Sequence, residues 1–168
     1  MSIGRMRLSA VALLVAALRV CPAHSEDTPG ASTVLGNANP QLADGAAALQ
    51  AGRIEQGIRL TLEGLKLETD PFESAAGHSN VCAGYALLKQ WDDALVQCNA
   101  ALELDAKNWR IYNNRAAIFV AKGMYDLAQQ DLEAGLALAP GSSILHESMR
   151  VLEQNRRILL RHKKPVPA

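Results

Sequence analysis

The chain has 168 residues, carries 17 Lys+Arg against 17 Asp+Glu, and is 49% hydrophobic but only 4% aromatic. That length suits one domain with a modest core. The neutral charge and scarce rings argue against a nucleic-acid surface, which needs clustered cations and stacking platforms.

Residues 1–25 are expected to be a signal peptide. Arg5 and Arg7 make a positive start, Leu8 to Leu18 is apolar or small apart from Ser9, and Ala23-His24-Ser25 offers small residues at the spacing a signal peptidase reads. The apolar run falls short of the about twenty residues that span a bilayer. Arg19 and Val20 precede Cys21 where a lipoprotein signal has small residues, which argues against lipidation. Cleavage near Glu26 would release a periplasmic or secreted chain of about −3 net charge; an uncleaved segment tethering it to a membrane is the alternative.

Residues 26–37 read as a flexible linker, rich in turn formers and without an apolar stripe. Asn39-Pro40 then opens a helix, Asn as cap and Pro at the first helical position. The clearest hairpin runs from Asn108 to Pro140. Asn108 can cap a helix carrying Tyr112, Ala116 and Phe119; Lys122-Gly123 breaks it; Tyr125, Ala128, Leu132, Gly135, Leu136 and Leu138 resume the spacing until Pro140 stops it.

A last helix is expected over 142–162, with Ile144, Val151 and Ile158 on one line and Leu145, Leu152 and Leu159 beside it. With no helix after it, this stripe is expected to cover the end of the hairpin before it, a homodimer surface being the other reading. Arg156, Arg157, Arg161, Lys163 and Lys164 make the end of this helix basic, as the helix macrodipole favours. Residues 163–168 are expected to form a disordered tail.

Shifting the chain by thirty-four residues lays Tyr85 under Phe119, Trp91 under Tyr125, Ala94 under Ala128, Ala101 under Gly135 and Leu104 under Leu138. A further step back, with three extra residues around Phe72, aligns Gly45 with Cys82 and Ala116, Gly57 with Ala94 and Ala128, and Gly64 with Ala101 and Gly135. The small residues recur because two helices approach closely only where little stands between them.

This period and pattern resemble the tetratricopeptide repeat (TPR), a helix–turn–helix unit of thirty-four residues. The third copy meets the pattern with Tyr112, Ala116, Phe119, Ala128, Leu132 and Pro140, although Arg115 stands where Leu is usual. The second keeps Val81, Cys82, Tyr85 and Ala94 but has His78, Cys98 and Ala106 where Trp, Phe and Pro are typical. The first is degenerate, with Asp44, Ala48, Thr61 and Thr69 at positions that are usually large or apolar. The resemblance implies an all-α, right-handed α-solenoid of three hairpins over residues 38–141, the repeats covering about 38–71, 75–108 and 109–142, closed by the capping helix. In that register Cys82 sits at the crossing of the second hairpin and Cys98 faces it. Two readings stand: a disulfide, as suits an exported chain, or two buried small apolar residues.

Catalytic chemistry is not indicated. His24, His78, His146 and His162 lie far apart, and phosphate-loop, paired-histidine and Cys-x-x-Cys motifs are missing from the sequence. No cofactor or metal is implied. The family uses the concave groove lined by the first helix of each hairpin to hold peptides or protein segments. Carried over, that groove is lined by Asn39, Leu42, Ala46, Leu49 and Gln50, by Ser79, Asn80, Ala83 and Leu87, and by Arg110, Asn113, Asn114, Ala117 and Ala121. Asn80 and Asn114, a repeat apart, can each serve both groups of a peptide backbone, and Arg110 can receive a carboxylate. Asn114 and Arg110 are expected to point outward. Ala46, Ala83 and Ala117 interrupt the basic set by which some members clamp a terminal carboxylate. The resemblance implies a non-enzymatic adaptor in the cell envelope with a protein or peptide partner; an accessory subunit working through its ends or basic cap helix is the alternative.

Overall fold

A computed structural model describes residues 39–163; the expected signal peptide, the linker and the tail from residue 164 lie outside the described residues. Seven helices follow in order: α1 (Pro40–Gln50), α2 (Ile54–Leu65), α3 (Pro71–Leu87), α4 (Trp91–Leu104), α5 (Trp109–Ala121), α6 (Tyr125–Leu138) and α7 (Ser143–Lys163). They pair as the hairpins α1/α2, α3/α4 and α5/α6, and each hairpin packs on the next.

Local chemistry sets the helix starts. Asn39, Asp70 and Asn108 each accept a hydrogen bond from a backbone N–H of the following turn, and Pro40 and Pro71 stand where no donor is needed. The turn after each first helix uses one left-handed residue at the same register: Gly52 (φ 76°), Lys89 (φ 61°) and Gly123 (φ 74°). Lys89 adopts it without the freedom of glycine, at a cost of about 1–2 kcal/mol.

The core is a row of clusters, each bridging a hairpin to the next element. Leu49, Ile58 and Val81 join the first hairpin to α3; Cys82, Ala94, Cys98 and Ala101 join the second to Ile111 and Ile118 of α5; Ala116, Ala128 and Leu132 join the third to Leu145 and Leu152 of α7. Burying apolar surface within each hairpin and against the element that follows it is what holds the stack together. In the first hairpin, Gly45 and Gly57 mark a close crossing. A Cβ on Gly45 would stand 2.2 Å from Thr61 Oγ1, and one on Gly57 2.5 Å from Leu49 Cγ. Gly135 faces Leu145 of the next element, as its register implies, whereas Gly64 faces Leu42 within its own hairpin. The reason is the close approach of the start of α1 to Gly64, where a Cβ would stand 3.0 Å from the backbone N of Leu42.

Cys82 and Cys98 are joined by a disulfide, Cα–Cα 5.3 Å, that ties α3 to α4. Among the described residues no helix is long and apolar enough to cross a membrane.

Candidate functional site: the wall of first helices

Helices α1, α3 and α5 stand side by side, and α7 continues the row against α5. In the repeat register Ser148 of α7 is equivalent to Asn114 of α5, so α7 takes the place of the first helix of a further unit. Polar groups are buried along this row. Asn114 Nδ2 donates to Ser79 Oγ at 3.3 Å, joining α5 to α3, and Ser148 Oγ donates to Asn113 Oδ1 at 2.7 Å, joining α7 to α5. Both pairs are 35 residues apart, one more than the period. Satisfied inside a buried interface, such bonds fix the register of neighbouring helices, because a slip would strand polar groups away from their partners.

The expectation of an open groove lined by Leu42, Ser79, Asn80, Asn113 and Asn114 is corrected. All five are buried, Asn114 and Ser79 completely. Asn114 does turn away from Ala128 and Leu132, as its angle around the helix requires, but the space it enters belongs to the neighbouring first helix. The cause is the run of small residues Ala83, Ala86 and Ala117, which lets adjacent first helices close onto one another. Ala46 and Leu49 are buried as well. What stays accessible of the expected set is Asn39, Gln50, Leu87, Arg110 and Ala121. Asn39 is engaged locally, donating from Nδ2 to Gly64 O at 2.8 Å. Arg110 lies over the Trp109 ring, 4.6 Å from its centroid, which leaves a half-buried cation at the start of α5.

Arg115 is explained by a partner that periodicity did not reveal. Its Nε and Nη2 donate to Asp131 Oδ2 and Oδ1 at 2.8 and 2.7 Å, and its Nη1 donates to Asn99 Oδ1 at 2.8 Å. One side chain thus ties α5 to α4 and α6. The hydrogen bond to Asp131 holds the guanidinium above its usual pKa, outweighing the lowering effect of burial. The signal that could have found it is the pair of unlike charges that Arg115 and Asp131 place on facing helices of one hairpin. His78 has a comparable structural role, its Nδ1 lying 2.8 Å from Gln97 Oε1.

Away from this wall, an open cleft of about 440 Å³ lies between α2 and the end of α3, lined by Ile58, Leu62, Tyr85 and Leu88 among mixed charges. Among the described residues no cluster of His, Cys, Asp and Glu could hold a metal ion.

The first TPR of Spaghetti (RPAP3), solved bound to the HSP90 peptide SRMEEVD, matches at TM-score 0.63 and 23% identity over 70% of this chain and 91% of that one. The Arabidopsis OM64 TPR domain matches at TM-score 0.62 and 22% identity, over 68% and 93%. The chain has the tetratricopeptide-repeat fold. In sequence, this TPR chain is 33% identical over 90 residues to the mouse peptidyl-prolyl cis-trans isomerase FKBP4, covering 53% of the chain but only 20% of that relative. The chain therefore spans about a fifth of the length of that curated protein. No protein-family model matches. Measured on the TPR register, the buried Asn/Ser pairs lie between repeats, on the first-helix row.

Proposed function

We propose that the protein is a non-enzymatic interaction adaptor which holds a peptide or protein segment of a partner along the first-helix side of the TPR solenoid, and that it works outside the cytoplasm. The observation that carries the reading is the continuous wall of first helices, rigidified by buried cross-repeat hydrogen bonds and presenting Gln50, Leu87 and Arg110. A preorganised surface loses little entropy on capturing an extended segment. The neighbour solved with an HSP90 peptide supports this use of the fold. The Cys82–Cys98 bridge supports an oxidising compartment, as do the residues that read as a signal.

The test is cross-linking capture from the envelope fraction of the source cell, followed by affinity measurement with the captured partner. Replacing Arg110 and Gln50 by Ala should weaken that affinity by roughly 1–3 kcal/mol while leaving the fold intact. Equal affinity in the folded double variant would move the working surface to α7, where an accessory subunit would make its contacts. N-terminal sequencing of the exported chain should find a start near Glu26, and a start at Met1 would refute release by cleavage.

A further inference from the structure

Helix α7 does not stop where its register says a first helix should. α5 ends at Ala121, whose equivalent in α7 is Asn155, yet α7 runs on to Lys163. The extra eight residues are about two turns. Lys122-Gly123 turns the chain after α5; Arg156-Arg157 in the same place lets the helix continue.

The body grips only the start of this extension. Arg156 donates to Gln129 Oε1 and pairs with Asp126, both on α6. Beyond it Ile158, Leu159 and Leu160 are 42, 38 and 64% exposed, and Arg157 and Arg161 are exposed beside them. Charge is segregated along the chain. Residues 156–163 contain Arg156, Arg157, Arg161 and Lys163 with no acid, whereas residues 39–155 contain 15 acidic and 9 basic side chains.

We propose that this overrunning end of α7 docks on an anionic phospholipid surface. A second copy of the chain would bring two cationic tips together. An acidic protein groove would satisfy the charge but covers one face of a helix. Three consecutive aliphatic residues, about 100° apart, spread over some 200° of the circumference, and Leu160 lies on the same side as the arginines. A headgroup layer surrounds an inserted tip on every side, receiving the aliphatic residues while the long Arg side chains reach back to the phosphates. The acidic body is repelled by the same surface, so the solenoid stands on its tip with the first-helix wall free.

The test is co-sedimentation of the full chain with phosphatidylcholine vesicles prepared with and without phosphatidylglycerol. Comparing variants of one chain cancels any contribution from the apolar residues 8–18. Each cation at such a surface adds about 1 kcal/mol, so Arg157→Gln/Arg161→Gln should lower the affinity for the anionic vesicles about thirtyfold. Ile158→Ser/Leu159→Ser/Leu160→Ser should lower it at least about tenfold, and added salt should weaken the wild type. Circular dichroism should show both variants folded; the arginine pair, being exposed, keeps the test decisive if the triple variant unfolds. Equal binding by wild type and the Arg157→Gln/Arg161→Gln variant would overturn the proposal. So would tighter binding of the wild type to polyglutamate than to the anionic vesicles, an outcome that would assign the tip to an acidic protein.

Discussion

At the scale of single residues, the polar side chains that break the repeat pattern are the ones with the most specific partners. Arg115 stands at a position suited to Leu and is held by two hydrogen bonds to a nearly buried Asp131. Arg115→Leu would remove the partner and leave the carboxylate in place. Because Arg115 is partly open to solvent, the expected loss is about 2–3 kcal/mol, below the 3–5 of a fully buried pair. Chemical denaturation should record it, and Arg115→Leu/Asp131→Leu should recover part of it. If the single variant lost nothing, the pair would contribute no net stability. Asn114 follows the same logic. Its burial against Ser79 predicts a loss of about 1–3 kcal/mol for Asn114→Ala, where an exposed groove residue would lose less than about 0.5. A urea midpoint unchanged in Asn114→Ala would contradict the buried hydrogen bond.

At the scale of elements, the three hairpins are held by different means. The second is cross-linked, with Cys82 and Cys98 separated by 16 residues in sequence. The chain-entropy model for such a loop gives about 3 kcal/mol of stabilisation. Unfolded but unreduced protein should therefore offer no thiol from either residue to a labelling reagent, and reduction should lower the denaturation midpoint by the corresponding amount. Labelling of both would exclude the bridge. The first hairpin instead relies on glycine at a close crossing, where Gly45 and Gly57 leave room for Thr61 and Leu49. Thr61 donates back to Gly57 O at 2.8 Å, so its hydroxyl is satisfied within the helix. The third hairpin is held by the Arg115 bonds and by α7. The degenerate look of the first repeat thus reflects a tighter approach of its helices, not a loss of the hairpin.

At the scale of the whole molecule, α7 closes the stack. Leu145, Ser148, Val151 and Leu152 are buried against the third hairpin, and Gly135 admits Leu145. Ending the chain after Ser142 should uncover Ala117, Val120 and Leu132 and leave Asn113 without Ser148. Light scattering should then detect self-association, as expected when a solenoid loses its terminal cover. A truncated chain that remained monomeric with unchanged stability would show that α7 is not needed as a cover. The same helix has a second portion beyond Arg156 whose aliphatic residues Ile158, Leu159 and Leu160 are exposed, which separates closure from the proposed docking of the tip.

The repeat period, the turn positions and the small residues at helix crossings were legible in the sequence, because each is a local or strictly periodic constraint. Asn108 acts on a backbone N–H two residues on, Gly123 and Pro140 act through their own backbone, and Cys82 with Ala116 records a spacing that recurs with every repeat of the solenoid. Which face of a first helix meets water was not legible in the same way. Asn80 and Asn114 sit at the angle where a groove would lie, and only the tertiary structure shows neighbouring helices close enough to bury them. Arg115 with Asp131, and Asn113 with Ser148, likewise join residues whose separation is not the repeat period. Periodicity specifies the direction a side chain takes from its helix. The distance to whatever stands in that direction is set by the packing of the whole stack, and that distance decides between an exposed polar residue and a buried hydrogen bond.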